Sequence, residues 1–181
     1  MAKNRVIGRF AVAVVITAWI VIALDQWAKA VAMANLQPGE LVPFIGQLVQ
    51  LRLAFNDSAA FSLGFGITWI FTIISSLAAL AILWFSRKIE TLSWAIMAGV
   101  LLGGVVGNLI DRITRATGFA DGTVIDFIQL PFNFAIFNIA DMAIVITCTL
   151  GALRLIRGEQ IGKAKLEEAQ VEPKSASLTG N

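Results

Sequence analysis

Histidine is absent from the chain, which excludes histidine acid–base catalysis and histidine metal ligands. Cys148 is the only cysteine, so neither an intramolecular disulfide nor a multi-cysteine zinc site can form. Charge is scarce as well. Asp, Glu, Lys and Arg make up 14% of the 181 residues, against about 25% in an ordinary soluble domain. The net charge is only +2, and no stretch interleaves clustered Lys or Arg with aromatics, which argues against a nucleic-acid partner. What the chain has instead is apolar surface, with 57% hydrophobic residues. These proportions describe a small integral membrane protein of one domain.

A helix needs roughly 20 mostly apolar residues to cross a bilayer. Four segments qualify. The first is apolar over 10–24 and continues past Asp25 and Lys29 to about Ala34. The second, 67–85, and the third, 91–110, carry no charge. The fourth, about 134–153, contains one, Asp141. The first segment has a competing reading. Lys3, Arg5 and Arg9, an apolar run, and then Ala28-Lys29-Ala30 have the layout of a cleavable signal peptide. Against it, Asp25 and Gln26 interrupt the end of the run, and three later spans would hold the chain in the membrane anyway.

Lys and Arg placement orients the spans. Ten of them lie at the N-terminus, in the 86–90 turn and at the C-terminal end, while Lys29, Arg52, Arg112 and Arg115 lie on the other side. Both termini are therefore expected in the cytoplasm, with the 35–66 and 111–133 connections facing outward. All six aspartates (Asp25, Asp57, Asp111, Asp121, Asp126 and Asp141) fall on the outer side, and every glutamate except Glu40 falls on the inner one. Solvated loops explain some of this sorting. They do not explain Asp25, Asp111 and Asp141, which sit at span ends or inside them, where an ionisable group is costly and usually functional.

In the first outer loop, Val49, Leu51, Leu53 and Phe55 alternate with Gln50 and Arg52 over 48–55, the period of a strand. A small sheet of two or three strands resting on the membrane is expected there. Such a sheet can hold an extended peptide by strand addition, or simply cap the bundle. The following Asn56-Asp57-Ser58-Ala59-Ala60-Phe61-Ser62 suits a short amphipathic turn. Gly99, Gly103 and Gly107 recur at intervals of four in the third span, which permits close helix approach. Residues 158–181 are polar, with mixed charge and Pro173, and read as a disordered cytoplasmic tail.

The catalytic vocabulary is narrow. Cys148, seven residues and about 10 Å beyond Asp141 on one helix, has no basic neighbour and reads as inert packing. A Ser/Lys dyad of Lys29 with Ser58 or Ser62 has no spacing to support it. The aspartates offer more. Asp141 follows Asn138 at the start of the fourth span, and Asp126 lies in Val124-Ile125-Asp126-Phe127-Ile128, an apolar run that would approach the membrane surface. Two carboxylates brought together at a dry interface share a proton, because both cannot ionise cheaply. One then activates water while its protonated partner polarises a carbonyl, without metal or covalent intermediate. Spacing alone does not bring these two together.

Five blocks resemble the lipoprotein signal peptidase (signal peptidase II) family. They are Asp25-Gln26-x-x-Lys29; Phe55-Asn56-x-x-Ala59-Ala60-Phe61-Ser62; Gly107-Asn108-x-x-Asp111-Arg112; Val124-x-Asp126-Phe127-Ile128; and Phe137-Asn138-x-Ala140-Asp141. Each is weak alone. In this order, on a four-span frame covering about 10–155, they are specific. The resemblance implies an all-α membrane protein of four transmembrane helices with a small extracytoplasmic β-sheet subdomain in the first outer loop, its peptidase domain over 1–157. It implies a monomeric aspartic endopeptidase of the bacterial inner membrane, with its site at the periplasmic face and no cofactor or metal. The enzyme would cut prolipoproteins before a diacylglyceryl-cysteine and be inhibited by globomycin. By position in the motifs, the catalytic pair is Asp126 and Asp141. Asn56, Asn108, Arg112 and Asn138 would hold substrate and support the site, and Asp25, Lys29 and Asp111 would have structural or supporting roles.

Two departures stand out. Ser58 replaces a usual Gly. Asp111 and Asp126 lie 15 residues apart, several more than the family spacing, with the extra residues in 114–122. That insertion adds Asp121, beside Gly122, which reads as a turn residue. Two other classes remain: a proton-coupled small membrane transporter subunit relaying protons through Asp25, Asp111 and Asp141, and a membrane scaffold in which the polar set only joins helices.

Overall fold

The computed structural model describes residues 2–57, 68–116, 121–132 and 134–161, with the backbone alone at 2–9. Ser58, the turn expected over 59–62, residues 117–120 of the insertion, and the tail from 162 onward lie outside the described residues. The elements run α1 (Ala2–Asn35), β1 (Val42–Ile45), β2 (Val49–Asn56), α2 (Thr68–Ser86), α3 (Leu92–Thr114), β3 (Val124–Gln129) and α4 (Ile139–Ile156). Each helix is long and apolar enough to cross a membrane. Large side chains such as Trp19, Trp27, Leu80 and Val145 point outward, so the apolar surface that a soluble protein would bury is offered to lipid.

The third helix organises the bundle. It packs against α1, α2 and α4, and 44% of its spanning window is buried, against 11–17% in the others. Glycine makes these contacts close. A Cβ at Gly99 would lie 2.6 Å from the Val14 carbonyl oxygen, and one at Gly103 would lie 2.6 Å from Val21 Cβ, both on α1. One at Gly104 would lie 2.6 Å from the Ala140 carbonyl oxygen on α4. Backbone cannot step aside as a flexible side chain does. Gly104→Val should therefore destabilise the bundle by about 1–3 kcal/mol, the usual cost of overpacking. A thermal melt in detergent measures it, and an unchanged melting temperature would contradict the close packing of α3 on α4.

The first outer loop does form a sheet, with strand order β1-β2-β3 and both pairings antiparallel. Its third strand comes from the other connection, so the sheet ties the two loops together. Leu53, Ile125 and Phe127 pack on Ala32 and Leu36 at the end of α1. The alternation expected along β2 breaks down. Leu51 pairs with Ile128 but Ala54 with Asp126, which leaves one extra residue on β2. Beyond it Phe55 pairs with buried Ile125, yet is itself 50% exposed where Leu53 is buried.

Two span boundaries also move. The third helix runs to Thr114, so Asp111 and Arg112 are helical and the connection starts later than 111. The fourth helix starts at Ile139, not near 134, because the side chain of Asn138 caps it. The backbone of Phe137 is meanwhile used by the sheet, where it exchanges hydrogen bonds with Ile128, both 2.9 Å.

Candidate active site

Asn138 begins the site because it begins a helix. Its backbone is extended, and its Oδ1 accepts the Asp141 N–H at 3.0 Å. Asp141 Oδ2 accepts the Asn138 N–H in return at 3.2 Å, completing a capping box. The cap fixes the Asn138 amide. With its oxygen committed to the helix, its Nδ2 must face away from the helix end. There it donates to Asp126 Oδ1 at 2.7 Å and to Asn108 Oδ1 at 3.1 Å. One side chain thus joins β3 to α4 and brings the neighbourhoods of the two aspartates together.

The remaining carboxylate oxygens are held from other elements. Asn108 Nδ2, on α3, donates to Asp141 Oδ1 at 2.7 Å. Asn56 Nδ2, on β2, donates to Asp126 Oδ2 at 2.9 Å. The extra residue in β2 makes this last bond possible. After it, Ala54 pairs with Asp126 and Asn56 with Val124, so Asn56 shares the face of Asp126. Asp126 is 2% exposed. Burial, joined by the charge of Asp141, pushes its carboxyl up to about 6 from the ordinary 3.8, against the opposing hydrogen bonds from Asn56 and Asn138 and the charge of Lys29.

Beneath the pair lies a buried ion cluster. Lys29 Nζ reaches Asp25 Oδ2 at 2.7 Å, Asp111 Oδ2 at 2.8 Å and Asn108 Oδ1 at 3.0 Å, with all three charged side chains fully buried. An ammonium has three N–H donors, and each finds an acceptor here. Asp25 Oδ1 accepts the Ala140 N–H at 3.0 Å in the first turn of α4, and Asp111 Oδ2 accepts the Ile125 N–H at 3.3 Å on β3. The cluster thereby positions both elements that carry the aspartates. Gly107 leaves it room, since a Cβ there would lie 2.8 Å from Asp25 Oδ2.

Every residue expected at the site falls in or beside this network. Arg112 is half-buried, 5.8 Å from the centroid of the Phe71 ring on α2, and within electrostatic reach of Asp141, Asp126 and Asp111. Gln26, present in the first motif but not expected at the site, is a further member. Its Nε2 lies 3.1 Å from the Gly107 carbonyl oxygen, 3.2 Å from Asp25 Oδ2 and 3.3 Å from Asp111 Oδ1. The available signal was an amide inside an apolar run, one residue from a buried acid. Arg115 also adds an ion pair to Asp111 at 3.3 Å.

Asp121 is half-buried at the end of α3, where Gly122 donates its N–H to the Arg112 carbonyl oxygen at 3.0 Å. That bond satisfies one of the carbonyls a helix C-terminus leaves over. Cys148 departs from expectation: it is exposed on α4 and does not pack inside the bundle. Its outward position comes from the helical period, since Ala143 and Thr147 form the buried side of α4.

Residues 17–157 match the family model described as signal peptidase (SPase) II. A lipoprotein signal peptidase of Leifsonia xyli subsp. xyli is 41% identical over 166 residues, covering 92% of this chain and 77% of that protein. Another, of Streptomyces coelicolor, is 41% identical over 156 residues, covering 86% and 74%. Among solved structures, a bacterial membrane enzyme determined at 1.9 Å superposes with a TM-score of 0.72 at 26% identity, covering 81% of this chain and 94% of its own.

Proposed function

The chain belongs to the signal peptidase II family, and from that premise we propose that it removes signal peptides from prolipoproteins as an aspartic endopeptidase, cutting before a cysteine that carries diacylglycerol. The observation that carries the reading is Asn138, whose one side chain caps the helix of Asp141 and donates to Asp126. Asp126, the more buried carboxyl, holds the shared proton and polarises the scissile carbonyl. Asp141, in the first turn of α4, takes a proton from water, which attacks the carbonyl carbon. The proton then passes to the leaving amine as the C–N bond breaks. Asn56 and Arg112 border the pair and orient the substrate backbone. The acyl chains of the lipidated cysteine and the signal helix approach from the bilayer, since the outward helix faces are apolar. The family resemblance implies a monomer of the inner membrane, and the Lys/Arg distribution supports cytoplasmic termini with the aspartates at the periplasmic face.

The transporter alternative fits less well. Asp25 and Asp111 are spent on Lys29, and the acids gather at one end of the bundle while α2 carries no charge. A relay needs groups along the path.

The test is cleavage of a diacylglyceryl-modified prolipoprotein by purified protein in detergent, with and without globomycin, read by gel shift. Globomycin-sensitive cleavage is expected. No cleavage by well-folded protein across several substrates and lipids would overturn the assignment. The pH profile adds a second prediction. A carboxyl raised to about 6 keeps its proton below that pH and loses it above. Because the mechanism needs one proton on the pair, kcat/KM should fall as pH rises through about 6, since that ratio reports the free enzyme. A profile flat from pH 5 to 8 would contradict it.

A further inference from the structure

The proposed mechanism leaves a wholly buried lysine unused. We propose that Lys29 is a positioning residue: through the side-chain oxygen of Asn108, its ammonium turns that amide so that an N–H faces Asp141. The inference deepens the peptidase reading and rests on it for its kinetic consequence.

The geometry leaves the amide one favourable orientation. Lys29 Nζ is 3.0 Å from Asn108 Oδ1, and Asn138 Nδ2 is 3.1 Å from the same oxygen. Both neighbours are donors, and an ammonium has no acceptor to offer. With the oxygen turned toward Lys29, Asn108 Nδ2 lies 2.7 Å from Asp141 Oδ1. The reversed amide would set NH₂ against an ammonium on one side and a carbonyl oxygen against a carboxylate oxygen on the other. With Asn138 Nδ2 also facing the reversed NH₂, three repulsions would replace three bonds, two of them charge-assisted.

Lys29 cannot turn away to relieve such a clash, because its other two contacts are to Asp25 Oδ2 at 2.7 Å and Asp111 Oδ2 at 2.8 Å. Those carboxylates are anchored in turn by the N–H groups of Ala140 on α4 and Ile125 on β3. The order of control therefore runs from the Asp25/Asp111 pair to Lys29, from Lys29 to the polarity of Asn108, and from Asn108 to the carboxylate of Asp141. Lys29 touches neither aspartate of the catalytic pair directly in this chain of bonds.

A double-mutant cycle on kcat tests the route. Lys29→Met should lower kcat at least tenfold with KM within about twofold of the parent. In an Asn108→Leu background the same change should cost less than about twofold, because the group through which Lys29 acts is already gone. A second readout does not depend on turnover. In protein labelled with ¹⁵N-asparagine, the side-chain cross-peak pair that vanishes in Asn108→Leu should be widely split in the parent and collapse in Lys29→Met, with the other asparagine pairs in place. Where Lys29→Met alone does not hold its thermal melt, Lys29→Met/Asp111→Asn removes one charge of each sign and takes its place. Equal kcat losses in both backgrounds, or an unmoved cross-peak pair, would overturn the inference. Absence of cleavage in the parent combined with a collapsed pair would instead leave the positioning role standing and remove the peptidase reading.

Discussion

Asp126→Asn and Asp141→Asn should each abolish signal-peptide cleavage while leaving the protein folded. The expected loss is at least about 10³-fold in kcat, within the range of proton transfer by a positioned group. Each change is nearly isosteric. At position 141 an amide oxygen can still accept the Asn138 N–H and keep the capping box, although its NH₂ would then meet Asn108 Nδ2, the present donor to Oδ1. At position 126 one of the two present donors, Asn56 or Asn138, would likewise meet NH₂. The cost of one such mismatch is about 1–3 kcal/mol, visible in a melt but short of unfolding. Asp121→Asn is the control. Asp121 sits beside the glycine that caps the end of α3, and its variant should keep most of its activity. If Asp121 proved essential and Asp126 dispensable, the assignment across the 114–122 insertion would fail.

The residues that reveal themselves in the sequence are those whose chemistry is local. Length and apolarity suffice to mark four spans, and the alternation over 48–55 marks a strand. A capping residue is also local, yet hydropathy is blind to it: Phe134, Ala135, Ile136 and Phe137 are as apolar as the helix that follows, so only Asn138 separates them from α4. Register is not local at all. The extra residue between Leu51 and Ala54 depends on which β3 residue lies opposite, and it decides that Asn56, rather than Phe55, faces Asp126. The buried lysine was half-legible. Its partner Asp25 stands four residues before it on the same helix, but Asp111 and Asn108 reach it only because glycines let α3 close on α1. For the same reason no role for Gln26 was legible, since all but one of its acceptors lie across that interface.

Asn138 carries two loads, and substitutions there separate them. Its oxygen caps α4, and its NH₂ serves Asp126 and Asn108. Asn138→Ser keeps a cap, because a hydroxyl oxygen also accepts from the N3 position, but it loses the two donors. Asn138→Ala loses both functions. The alanine variant should therefore melt lower than the serine variant by the worth of a cap, about 0.5–2 kcal/mol. Both should lose activity to a similar degree, about 10²-fold in kcat, the scale seen when one preorganised donor is removed from a catalytic site. The sign of the pH effect follows too. The Asn138 hydrogen bond opposes the burial that raises Asp126, so without it the carboxyl holds its proton to higher pH. The fall in kcat/KM should then move above about 6 in Asn138→Ser, even as the maximum drops. A serine variant with parental kcat would mean that the cap alone explains Asn138. A lowered kcat with an unmoved profile would mean that the lost donors act on geometry and leave the proton on Asp126 untouched. Only a lowered and shifted profile ties the helix cap and the shared proton to one side chain.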